Sequence, residues 1–282
     1  MKVFKYLNPK RFYYAVGRRK FWEFIIFVLF ILFFYGPLIN MFMMAFANVY
    51  EVPHILPQEW GFKWWKFVFE QQSLVSSIVQ SLVIAVITVL CSMILCIPAA
   101  YALARYKFPG RKMFMLSFLL TNAFPKLGIY TSIGILFYKY NLMGTLLGVV
   151  IIHMINSMMF MVWLPSSAFR AVHRQQEEAA RDVGAGPFRT FMKITFPLAM
   201  PGIAVATLYT FLGSMEEAQG TMLVGLAHIK TMPVEMFGVI LDYPVQVGAV
   251  FSIILIVPSI LLIFVMRKYI GPEAIAGGFK MK

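Results

Sequence analysis

A chain of 282 residues that is 60% hydrophobic, with 28 Phe and 20 Met, carries more apolar surface than one soluble core can bury. Its mean hydropathy of +0.77 excludes an ordinary globular domain and places it in a bilayer. The net charge of +13 excludes little by itself, but its cations fall between apolar runs, the cytoplasmic bias of a membrane protein rather than a nucleic-acid surface.

A helix crossing the ~30 Å hydrocarbon core needs about 20 apolar residues. The apolar runs therefore predict an all-α integral membrane protein with six transmembrane helices, at about 22–47, 73–104, 113–138, 141–166, 194–216 and 244–267. They form one domain over 21–282, behind a basic N-terminal segment at 1–20. All 25 basic residues except Lys63, Lys66, Lys126, Lys139 and Lys230 lie before span one, between spans two and three, between four and five, or after six. The positive-inside bias puts that side, with both termini, in the cytoplasm.

Span one is longer than the apolar core of about 7–15 residues of a secretory signal, so it reads as an uncleaved helix. The segment WGFKWWKFVFE after it predicts an external interfacial stretch, with Trp60, Trp64 and Trp65 at headgroup depth. In span two, Cys91 and Cys96 are five residues apart on one helix, hence on different faces, which argues for packing rather than a disulfide. His54, His153, His173 and His228 are scattered over different spans and loops, and no metal-ligand set emerges. Span three contains Lys126, just after Pro125 and ~20 Å from the cytoplasmic end by helix rise. A charge at that depth costs at least ~2.5 kcal/mol unless it snorkels, pairs or faces water. Either the span ends near Leu120 and Lys126 snorkels from a kink, or Asn122, Lys126 and Tyr130, at i, i+4, i+8 spacing, line a translocation cavity.

The loop at 174–190, between spans four and five, is the most polar text in the chain. Gln175–Val183 predicts a short helix with Glu177, Glu178, Arg181 and Asp182 as exposed charges and Ala179, Ala180 and Val183 as one small face. Gly184 ends it, because glycine accepts the left-handed conformation that closes helices. Gly186 and Pro187 start the next helix, which runs through Phe188–Ile194 into span five. Such a helix-turn-helix on the cytoplasmic surface suits the groove of a soluble partner. The chain has no phosphate-binding loop and no catalytic cluster, so no enzyme activity, cofactor or metal is expected in it.

The spacing Glu178-Ala179-Ala180, Gly184, Ile194, Phe196, Pro197 resembles the signature loop of bacterial binding-protein-dependent ABC-importer permeases, with Phe196 in place of the more usual Leu. Further stretches, AAYALARYKFPGRK (99–112), LYTFLGS (208–214), TMPV (231–234) and AGGFK (276–280), are similar to the shorter permease of maltose-type carbohydrate importers. The resemblance implies a type I importer fold in the bacterial inner membrane. Glu178, Ala179, Ala180, Gly184, Ile194 and Pro197 would then form a coupling helix that docks on a separate ATPase. It also implies the partners: a second, unlike permease, two ATPase subunits holding ATP and Mg, and an extracytoplasmic binding protein. The implied cargo is a sugar, an oligosaccharide or a sugar derivative. Where such permeases carry an aromatic, Asn and Asp after FLGS, this chain has Met215, Glu216 and Glu217, which raises polyamine import as an alternative. Glu216 and Glu217 are expected at the outer end of span five, at the mouth of the cavity. A secondary carrier would need inverted repeats or intramembrane carboxylate relays, which the sequence does not display.

Overall fold

Proline and glycine decide where the apolar runs become separate helices. The computed structural model describes residues 17–269, apart from the side chains of Arg18, Thr121 and Asn122; the segment 1–16 and the AGGFK tail lie outside it. The described chain runs through α1 (Arg18–Ala45), the strands β1 (Ala47–Val49) and β2 (Glu59–Trp60), α2 (Lys63–Glu70), α3 (Gln72–Arg105), α4 (Arg111–Ala123) and α5 (Lys126–Lys139). It continues through α6 (Leu146–Ala171), α7 (Arg174–Asp182), α8 (Pro187–Thr190), α9 (Phe196–Met215), α10 (Gln219–Gly225), α11 (Met232–Asp242) and α12 (Val245–Met266). A π-helical turn, Phe191–Thr195, joins α8 to α9, so that Pro187–Met215 is one helix. That helix, α1, α3, α6 and α12 are the five among the described residues long and apolar enough to cross a membrane.

The expected third span, 113–138, is two helices. Pro125 removes a backbone donor and disfavours helical geometry at the residue before it, and Phe124 is extended at φ −95°, ψ 153°. The break corrects the expected alignment: Asn122 lies on α4, whereas Lys126 and Tyr130 lie on α5, so the three do not share one helical stripe.

The core is the contact of α3 with α6 and of both with α9. Along α3 the buried residues include a run of small ones, Ser77, Ser81, Ala85, Thr88, Ser92, Cys96, Ala100 and Ala104, interleaved with Leu74, Ile84, Val89, Ile97 and Leu103. Small side chains let helix backbones approach closely where lipid offers no hydrophobic driving force for association. Both cysteines are free. Larger side chains fill the space towards α6 and α9, with Leu103, Met161, Leu164 and Val205 in one cluster. Polar anchors tie the far end of α3 to the loop before α11: Met232 N donates to Ser81 Oγ at 2.7 Å and Lys230 N to Gln80 Oε1 at 2.9 Å.

The opposite face of the bundle is built around α12. Val247, Val250 and Phe251 pack with Met44, Ala45, Val68 and Leu74 in a second cluster. Trp64 and Trp65 pack against this cluster. Their indole N–H groups donate to Asn48 O at 3.2 Å and Ala45 O at 2.8 Å, which pins α2 against β1 and the end of α1. Only Trp60 of the three is exposed.

Candidate functional site

Two sites follow from this frame, one at each end of α9. The first is the loop between α6 and α9. Here α7 closes on Gly184 at φ +87°, with Ala185 N donating to Ala180 O at 3.0 Å, a helix end that strains any residue with a Cβ. Gly186 and Pro187 then start α8. Glu178 and Ala179 are exposed, Ala180 is half-buried, Ile194 is half-buried in the π-helical turn, and Pro197 is exposed in the first turn of α9. Val183 and Phe188 are exposed apolar residues on either side of the Gly184 turn. The loop thus offers a carboxylate, small residues and an apolar rim to a partner.

Glu177 departs from its expected place on the surface: it is buried. A single oxygen, Oε1, accepts from Arg105 Nη2 at 2.6 Å, from Arg105 Nε at 2.9 Å and from Thr195 Oγ1 at 2.8 Å. Arg105 Nη2 also donates to Val172 O at 3.0 Å, and Arg174 Nη2 donates to Arg105 O at 2.8 Å. The pair welds α7 to the end of α3 and the start of α9, where a charge-assisted bond is both shorter and stronger than a neutral one. Beneath it the rings of Tyr101, Phe169, Phe191 and Phe196 pack in edge and tilted contacts. The loop is therefore held from inside the membrane domain while its outer face stays free. Sequence reading missed Arg105 and Glu177 because the partners are far apart in the chain and the helix carrying Glu177 is otherwise polar.

The second site joins α5, α6 and the turn from α9 to α10. Glu216 and Glu217, expected side by side at an outer surface, diverge: Glu216 is exposed and Glu217 is buried. Glu217 Oε2 accepts the Tyr130 hydroxyl at 2.9 Å, its Oε1 accepts Gly220 N at 2.8 Å, and Lys126 Nζ lies 3.8 Å from Oε2. Lys126 neither snorkels alone nor stands unpaired; its side chain is 45% exposed against 2% for Glu217, so one end of the pair faces outward. Gly220 is required where it is, because a Cβ there would run into Ile152 Cγ2 and come within 3.1 Å of the Tyr130 ring. The structure thus brings together Lys126, Tyr130 and Glu217, and leaves Glu216 outside the cluster; the side chain of Asn122 lies outside the described residues.

His153 braces this turn from behind. It is fully buried, with Nδ1 2.7 Å from Ser214 Oγ and Nε2 2.7 Å from Thr221 Oγ1. Thr221 Oγ1 in turn donates to Glu217 O at 3.2 Å. Both ring nitrogens are engaged across the two helices that flank Glu217, which fixes the carboxylate's backbone. A lone histidine in an apolar span gives no sign of this, since its partners lie on other helices.

The comparisons agree with this geometry. The model of the family described as binding-protein-dependent transport system inner membrane component matches residues 92–275, a stretch that includes both sites. The chain is similar to the diacetylchitobiose uptake system permease protein NgcG of Streptomyces coelicolor, 25% identical over 86% of this chain and 83% of that protein. It is also similar to the maltodextrin transport system permease protein MdxG of Bacillus subtilis, 27% identical over 78% of this chain and 81% of that one. The fold is that of a chain in the crystal structure of a bacterial ABC transporter involved in the import of the acidic polysaccharide alginate, with a TM-score of 0.71, 22% identity, and coverage of 94% of this chain and 99% of that one. The chain belongs to the family of inner-membrane components of binding-protein-dependent transport systems.

Proposed function

We propose that this chain is one permease of an ATP-driven importer for a sugar, an oligosaccharide or a sugar derivative, that it crosses the membrane six times with the α4–α5 pair as the third crossing, and that both termini are cytoplasmic. A second permease completes the path, one of two ATPase subunits docks on the α7–α8 loop and the other on the second permease, and an extracytoplasmic binding protein delivers cargo. The observation that carries the reading is the α7–Gly184–α8 turn, rigidly tied inward through Glu177 and Arg105 yet presenting Glu178 and an apolar rim outward. Closure of the ATPases would move this loop, and α3 and α9 with it, between inward-open and outward-open states.

The saccharide assignment rests on the relatives named above and on the state of Glu217. A polyamine path needs carboxylates free to meet cationic cargo, and of the expected pair only Glu216 is exposed, whereas Glu217 is already engaged by Lys126, Tyr130 and Gly220.

The test is the melting temperature of the binding protein that co-purifies with the complex. A saccharide is expected to raise it, by mass action on the folded state, and the same saccharide should be taken up by vesicles containing the complex. Stabilisation by a polyamine and by no saccharide would overturn the cargo assignment. Orientation is tested separately in a background without Cys91 and Cys96. Ile55→Cys, at the exposed tip of the β1–β2 hairpin, is expected to react with an impermeant thiol reagent added to intact cells, and Arg189→Cys to be shielded until the cells are opened. The reverse pattern would invert the topology.

A further inference from the structure

A cavity of about 670 Å³ opens at the turn between α3 and α4, lined by Lys107, Arg111, Lys112 and Arg170 with Met113 and Met115 on its apolar side. It lies at the same end of the bundle as the α7–α8 loop, since α3 and α6 end there and α4 begins there. Among the described residues no carboxylate forms an ion pair with any of the four cations; the ion pairs found are elsewhere. Among the described residues Arg170 reaches the Met115 thioether alone, with Nη1 4.0 Å from Sδ.

We propose that this cavity binds the phosphate headgroup of an anionic lipid of the cytoplasmic leaflet, an inference that rests on the orientation proposed above. Four gathered cations repel one another unless an anion is present, and two arginines and two lysines supply the forked and point-charge donors that phosphate oxygens accept. The apolar side decides between sources of phosphate. A free soluble anion would use only the cations, whereas exposed Met113 and half-buried Met115 continue the cavity along α4 into the crossing proposed above. A lipid places its phosphate among the cations and its acyl chain along the methionines, and basic pockets between helices at the cytoplasmic surface match such headgroups.

Trp163 reports on the site, because its Nε1 donates to Met115 O at 3.0 Å. The full chain in neutral detergent is titrated with phosphatidylglycerol or phosphatidylcholine carrying brominated acyl chains, and the Trp163 contribution is taken as the difference from a Trp163→Phe chain. Half-saturation with phosphatidylglycerol is expected at a lipid fraction roughly tenfold below that for phosphatidylcholine, and the Lys107→Gln/Lys112→Gln chain should lose most of that preference. Both lysines are exposed, so the double variant is expected to melt as the parent does. Equal curves for the two lipids, or an unchanged preference in the double variant, would overturn the site. Full displacement of phosphatidylglycerol by millimolar inorganic phosphate would also overturn it, as the mark of a free-anion site. So would unchanged lipid binding in a double variant that no longer co-purifies its ATPase, since the cations would then serve protein docking. The readout needs neither cargo nor ATP, so its failure leaves the importer reading standing, and a wrong orientation shows itself in the cysteine labelling instead.

Discussion

Replacing Arg105 by Ala is expected to destabilise the chain by about 3–5 kcal/mol, the usual cost of stranding one member of a buried ion pair. The side chains of Arg105 and Glu177 are 9% and 7% exposed, so water cannot easily take over the role of the guanidinium. What remains for Glu177 Oε1 is the Thr195 hydroxyl, and Val172 O loses its donor as well. Arg105→Lys keeps the charge but not the fork, and should fall between parent and Ala. Removing both charges, as Arg105→Met with Glu177→Met, should recover much of the loss, because an apolar pair of similar volume avoids desolvation altogether. Melting of the purified chain in detergent checks all three variants; an Arg105→Ala chain that melts at the parental temperature would show that the pair contributes nothing. In the assembled transporter the same variant is expected to hydrolyse ATP without moving cargo, since the loop would no longer pull on α3 and α9.

Glu178→Lys and Gly184→Trp act on the other face of that loop and are expected to abolish cargo-stimulated ATP hydrolysis while leaving the chain inserted. Glu178 is exposed and forms no ion pair among the described residues, so reversing its charge has no internal partner to disturb. Nothing lies within 4 Å of a Cβ built on Gly184, so a Trp side chain has room in this chain and would block only what docks against it. Its backbone cost, about 1–2 kcal/mol for a left-handed residue, is shared by Gly184→Ala, which therefore serves as the control. Normal transport by a fully assembled Gly184→Trp complex would remove the docking role from this turn.

The two sites were legible to different degrees, for physical reasons. Long apolar runs bounded by charge mark α1, α3, α9 and α12 to within a few residues at most ends, because hydrocarbon imposes its length on any helix that crosses it. The start of α6 is displaced from the expected 141 to Leu146, because no charge separates it from the turn before it. The α7–Gly184–α8 turn is readable because its glycine and proline have local backbone reasons. The welds at Arg105 and Glu177, and the placement of Glu217 with Lys126, are contacts between residues 72 and 91 positions apart, and no local pattern distinguishes a buried carboxylate from a solvated one. The split of the third span was half visible: Pro125 and Lys126 announced a disturbance, but the apolar text on both sides predicted one helix.

That split has a consequence for what the chain can border. A helix interrupted in hydrocarbon leaves carbonyls at the end of its first half and amides at the start of its second without intrahelical partners, and lipid can satisfy neither. Phe124, Pro125 and Lys126 are exposed in the isolated chain, so if the pair is the third crossing proposed above, this stretch of peptide would have to front either water or a neighbouring protein. The first helix, α4, is held to α6 through the Trp163–Met115 bond, and the second, α5, to the turn between α9 and α10 through Lys126 and Tyr130 on Glu217. Two helices fastened to different neighbours meet at a joint whose corner is Phe124 and Pro125.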